Sequence, residues 1–75
     1  MFQVIYYDKY SSMNTEIKYF NSNSALEALV DFHEGDLEDE DFEYFTKKIK
    51  QVNEMLHVVD GEEMLFMIIQ LPKHS

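Results

Sequence analysis

The chain has no cysteine, no arginine and no tryptophan, and only two glycines and one proline among its 75 residues. Without cysteine there is neither a disulfide nor a thiolate metal site, so stability has to come from packing; the absence also fits a reducing compartment. Without arginine the usual bidentate reader of phosphate and guanine is missing. Six lysines face fifteen acids, for a formal charge of -9. Such an anion is repelled by nucleic-acid backbones and anionic lipid and attracted to basic protein surfaces. Two glycines cannot build a phosphate-cradling loop. The longest apolar run, Met64 to Ile69, is far shorter than the roughly 20 residues that span a bilayer, and Met1 leads into Phe2, Gln3 and Val4 without the basic start of a signal peptide. A soluble, cytoplasmic, single domain over residues 1–75 is the expectation.

What the chain does have is apolar content of 45% with eleven Phe and Tyr, enough to pack one core and too much for a disordered segment. From Phe2 to Tyr10, Phe2, Val4 and Tyr6 alternate with Gln3, Ile5 and Tyr7, the period-two pattern of a strand with apolar residues on both faces. Ser11, Ser12, Met13 and Asn14 form a polar break. Thr15 to Phe20 resumes the alternation, and a hairpin with a four- or five-residue loop joins the two.

Ser24 and Glu27 have capping-box spacing, which predicts a helix from Ala25. Its apolar face is predicted at Leu26, Leu29, Val30 and His33, and its end at Gly35, where a left-handed residue is needed. A second helix is predicted from the stripe Phe42, Phe45, Ile49, Val52 and Leu56, spaced three, four, three and four. Acids at Glu38 to Asp41 suit its first turn and Lys47, Lys48 and Lys50 its later half. Glu43 with Lys47, and Lys50 with Glu54, are i to i+4 pairs of opposite sign.

Residues 55–59 read either as the tail of that helix or as a strand. Asp60-Gly61 predicts a type I′ turn. Met64 to Ile69, ended by Pro72, predicts a strand buried on both faces; Lys73, His74 and Ser75 read as a frayed tail. The order is strand, strand, helix, helix, strand, strand. This predicts an α+β two-layer sandwich: a largely antiparallel sheet of about four strands, both helices on one face, and the apolar first and last strands in the middle.

Catalytic and metal chemistry find little to stand on. Counting an EF-hand loop from Asp36 puts Asp41 where Gly is needed and Lys47 where the bidentate Glu belongs. His33, His57 and His74 have no metal-ligand spacing, and His33 reads as a residue at the core edge. No nucleophile elbow exists. Carboxylates in a run this polar are solvated, whereas a general acid needs burial to raise its pKa. No catalytic residue, metal or cofactor is expected. Tyr6, Tyr7, Tyr10, Tyr19 and Phe20 read as half core and half sheet surface, where tyrosines also make protein-binding anchors.

One stretch stands out. Glu34, Asp36, Glu38, Asp39, Glu40, Asp41 and Glu43 are seven acids in ten residues, so the other 65 residues carry eight acids against six lysines. One reading is a helix N-terminus plus a solvated junction. The other is a partner-binding site: a helix rises 1.5 Å per residue and duplex DNA carries one charge per about 1.7 Å, so dense acids can imitate a phosphate backbone.

In size, lack of cysteine and arginine, abundance of Tyr, Asn and Lys, and concentrated acidity, the chain resembles the small acidic inhibitors that bacteriophages encode, of the anti-CRISPR and anti-restriction type. The resemblance implies a non-enzymatic protein that blocks a nucleic-acid-handling protein in the host cytoplasm by presenting those seven carboxylates to its basic surface. The alternative is a structural or assembly protein that homodimerises or binds a partner through an edge strand or the tyrosine-bearing sheet face.

Overall fold

The apolar first and last strands do lie side by side in the middle of one antiparallel sheet. In the computed structural model, which describes residues 1–11 and 14–72, the elements run β1 (Phe2–Asp8), β2 (Thr15–Phe20), α1 (Ala25–Phe32), α2 (Asp39–Lys48), β3 (Lys50–Gln51), β4 (Leu56–Asp60) and β5 (Met64–Gln70). The sheet order is β2-β1-β5-β4-β3. The fold is therefore α+β with two helices and five antiparallel strands, one strand more than expected.

The extra strand comes from the end of α2. The Phe42 to Leu56 stripe predicts a helix through Leu56, but α2 stops at Lys48 and Ile49 is already extended, with ψ 128°. Lys50 and Gln51 pair with Val58 and His57. The chain reverses at Asn53, whose side-chain oxygen accepts the Met55 and Leu56 amides at 2.8 and 2.9 Å. Leu56–Asp60 then pairs along β5. Residues 56–60 are thus strand, Val52 is 61% exposed, and Lys50 and Glu54 are not helical neighbours. Sheet pairing has overridden a helical period that local sequence carried past its end.

The first connection starts earlier than expected. β1 ends at Asp8, whose carboxylate accepts the Tyr10 amide at 2.9 Å; Ser12 and Met13 of the predicted loop, and the predicted tail at 73–75, lie outside the described residues. At the other hairpin Gly61 does not adopt positive φ, so the type I′ turn is not formed. Asp60 pairs with Leu65, and the Gly61 amide donates to the Met64 carbonyl at 2.9 Å. Gly61 is instead a place of close approach: a Cβ there would lie 2.8 Å from Met64 Sδ and 3.0 Å from the Tyr44 hydroxyl.

Ser24 caps α1 as predicted, its Oγ accepting the Glu27 amide at 3.1 Å. The Glu27 carboxylate reaches back one residue further than a capping box requires, to the Asn23 amide at 2.9 Å. The buried stripe of α1 is Ala25, Ala28 and Leu29, with Phe32 packed against the core beside them. Leu26, Val30 and His33 are half-buried on its flank. The two alanines let the helix settle closely on the sheet, which rotates the face from the one the larger residues suggest.

Both helices cover the same face of the sheet. The core joins Ala25, Ala28, Leu29 and Phe45 to Phe2, Val4, Val59, Phe66 and Ile68. Val4 faces Ile68, and Phe66 faces Val59, so these strand residues share one side. At the sheet edge Lys18 points to that side and places its Nζ 5.1 Å from the centre of the Phe32 ring. Among the described residues no element covers the opposite side. β5, predicted to be buried on both faces, buries Phe66 and Ile68 while Leu65, Met67 and Ile69 stay half-exposed.

Candidate functional site

The acidic stretch forms the corner between the helices. Past α1, the Glu34 amide donates to the Asp31 carbonyl and the Gly35 amide to the Val30 carbonyl, each at 2.9 Å, the paired bonds of a Schellman turn. The left-handed position expected at Gly35 is shared: Glu34 has φ 61° and Gly35 φ 78°. A side chain at positive φ costs about 1–2 kcal/mol. Glu34→Gly is therefore expected to stabilise the fold by about 0.5–1 kcal/mol after allowing for glycine's greater chain entropy, read as a higher urea midpoint.

Leu37 tucks against the core and α2 begins after Glu38, which makes no side-chain cap. Asp39, Glu40 and Asp41 occupy its first turn, and Lys47 and Lys48 its last, so both ends complement the helix dipole. Phe45 is the buried anchor of α2, 5% exposed. It stacks on His33 with centroids 5.4 Å apart and meets Phe66 edge-on at 5.6 Å. That stack fastens the end of α1 to α2, so the corner between them is held from both sides.

On this corner Glu34, Asp36, Glu38, Asp39, Glu40, Asp41 and Glu43 are all exposed. None of their carboxylates is in a hydrogen bond or ion pair among the described residues, where the ion pair found is Lys9 with Asp60; the predicted Glu43–Lys47 bridge is not closed. Nor do three carboxylates or imidazoles among the described residues converge in metal-ligating geometry. Phe42, 42% exposed, and the exposed Tyr44 flank the acids on α2.

His33 sits among rings, with Phe32 and Phe66 centroids at 5.5 and 5.7 Å besides Phe45. Its Nε2 is buried with no hydrogen-bond partner among the described residues. Burial pushes the imidazole below its ordinary pKa of 6.5, and the Asp41 charge opposes this in part. The unfolded chain then binds the proton more readily, so stability is full above about pH 6.5 and falls as pH drops below it. His33→Phe is expected to abolish this loss of stability at low pH and, at either pH, to gain about 1 kcal/mol by deleting an unpaired buried nitrogen. Urea titrations of both proteins at about pH 5 and about pH 8 test it, as the difference between them cancels the carboxylates.

Sequence reading did not anticipate the cleft beside the β4–β5 turn, lined by Lys9, Asp41, Tyr44, Lys48, Asp60 and Gly61. Lys9 Nζ donates to the Asp60 carboxylate at 2.5 Å and to the Gly61 carbonyl at 2.6 Å. The hydrogen bond from Lys9, then its charge, holds the Asp60 carboxyl below the usual carboxylate range. That is the reverse of what a general acid needs, and the pair acts as a tie between β1 and the turn. Its partners lie 51 residues apart, so no local pattern announces them.

The tyrosines divide as expected. Tyr6 and Phe20 pack against the core, while Tyr7 and Tyr19 stand on the uncovered sheet face, where the Tyr19 hydroxyl accepts from Gln3 Nε2 at 3.3 Å. No helix among the described residues is long and apolar enough to cross a membrane. No protein-family model, no curated protein and no solved structure matches the chain.

Proposed function

We propose that the chain acts by binding rather than catalysis: Glu34, Asp36, Glu38, Asp39, Glu40, Asp41 and Glu43 stand in for a stretch of phosphate backbone and occupy the basic surface of a nucleic-acid-handling protein, inhibiting it. The observation that carries the reading is that all seven carboxylates are exposed, with none engaged inside the protein among the described residues. Helix capping needs only the acids of the first turn; Glu34, Asp36 and Glu43 lie outside it. Glu34 even holds a strained left-handed position that glycine would fill more easily. Phe42 and Tyr44 beside the acids supply apolar contact area.

Electrostatic capture of this kind is fast and salt-sensitive. In the setting that the resemblance to phage inhibitors implies, the target is a host protein in the cytoplasm. Immobilised protein exposed to a nuclease-treated bacterial lysate is expected to retain a basic nucleic-acid-binding protein. Both a salt gradient and added duplex DNA should release it. Retained proteins that neither salt nor duplex DNA displaces would overturn the reading.

A further inference from the structure

The uncovered face of the sheet carries an inference independent of the acidic corner. Its side chains fall into three rows fixed by the strand register. The middle row runs Ile17, Ile5, Met67, Val58 and Lys50 across all five strands. One flanking row is Tyr19, Gln3, Ile69 and Leu56, and the other is Thr15, Tyr7, Leu65 and Asp60. The charged positions, Lys50 and Asp60, both lie toward the β3–β4 margin, and Asp60 is already tied to Lys9. Ile17 and Tyr19 are 54% and 58% exposed. β1 and β5 are apolar on both faces, as central strands between two layers are, yet the described residues supply only one layer.

We propose that a second copy of this chain supplies the other, its sheet packing face to face on this one about a two-fold axis near Ile5 and Met67. Two arguments select a second copy. The first is charge: in a chain of -9, the three rows of this face hold one carboxylate, Asp60, so packing through it brings no carboxylate cluster against its twin. Packing through it leaves both acidic corners on the outer layers. The charge on this side is confined to the β3–β4 margin, where Lys47, Lys48 and Lys50 gather around Val58 and Asp60, and the rows across β2, β1 and β5 carry none. The second is area. The strands hold 7, 6, 2, 5 and 7 residues. At about 16 Å² per strand residue they make roughly 430 Å² of flat sheet per copy. Two copies give about 860 Å² before side-chain relief is added, close to the ~1,000 Å² threshold and suited to a reversible dimer. An isologous contact of two aligned sheets, about 10 Å apart, is an ordinary packing.

Sedimentation equilibrium at about 0.1 M and about 1 M salt tests this, because an apolar contact between like-charged copies tightens when their repulsion is screened. The expected result is a reversible dimer of twice the 9.0 kDa chain, tighter at high salt. Ile17→Lys and Met67→Lys should each raise the dissociation constant by at least about 100-fold, since every dimer would bury two unpaired ammonium groups. Glu16→Lys, exposed on the opposite side of β2, should not weaken the dimer. Far-UV circular dichroism of each variant confirms that the chain remains folded. A wild-type monomer at all concentrations and both salts overturns the proposal. So does a dimer that a folded Met67→Lys leaves intact, which would indicate edge-to-edge pairing through β2 instead.

Discussion

Replacing Phe66 by alanine is expected to cost about 3–5 kcal/mol of stability, a large share of what a chain of this length has. Phe66 is 1% exposed and is the largest of the fully buried side chains. Its ring lies 5.2 Å from Tyr6, 5.5 Å from Phe32, 5.7 Å from His33 and 5.6 Å from Phe45. It therefore touches β1, α1 with its cap, and α2 from the middle strand, and removing it loosens both layers at once. A buried Phe→Ala change costs about 3–5 kcal/mol, against about 4–11 kcal/mol for a whole domain of this length. Phe66→Leu, which keeps most of the apolar volume, should cost far less. Urea unfolding followed by circular dichroism gives both values. A Phe66→Ala cost below about 1 kcal/mol would show that this ring is not the centre of the core.

Removing four charges from the corner between the helices is expected to weaken partner binding by roughly 30- to 1,000-fold, at about 0.5–1 kcal/mol for each exposed charge. The structure dictates how the change has to be made. Asp39, Glu40 and Asp41 are the first turn of α2, so reversing them to lysine opposes the helix dipole and costs up to about 3 kcal/mol of stability. Binding and folding would then be lost together. Amide replacements, Glu38→Gln, Asp39→Asn, Glu40→Gln and Asp41→Asn, remove the charge and nearly preserve the shape. Their binding should be weaker and should also depend less steeply on salt. Glu62→Gln with Glu63→Gln, at the β4–β5 turn, removes charge elsewhere and should leave affinity near that of the parent. Equal affinity of the corner variant and the parent would refute the acidic-corner proposal.

Several parts of the fold were legible before any coordinates. The pairing of β1 with β5 at the centre followed from their apolar content, because an edge strand of that composition would expose it. The start of α1 at Ala25 followed from Ser24 and Glu27, whose hydrogen bonds stay within four residues. Other parts misled for definite reasons. Ile49, Val52 and Leu56 kept a helical spacing, but Asn53 turns the chain and Leu56 to Asp60 gain a full ladder with β5. Gly61 resembled a turn glycine, while its requirement is set by Tyr44 and Met64. Leu26 and Val30 outweighed Ala25 and Ala28 in hydropathy, yet the small residues allow the closer contact. Among the candidate site residues, positions in the chain were plain; that none of the seven side chains is engaged among the described residues was not.

Composition and short-range pattern by themselves determined that no thiol or guanidinium is present, the locality of the acidity, and where the first helix begins. Each depends on residue type or on partners within one turn of chain. Only the tertiary structure decided where α2 ends, how His33 comes to lie among Phe32, Phe45 and Phe66, and how Lys9 reaches Asp60. It also left Ile5, Ile17 and Met67 on a face that no described element covers. These outcomes arise from contacts between residues tens of positions apart, whose energies exist only after the chain has closed on itself.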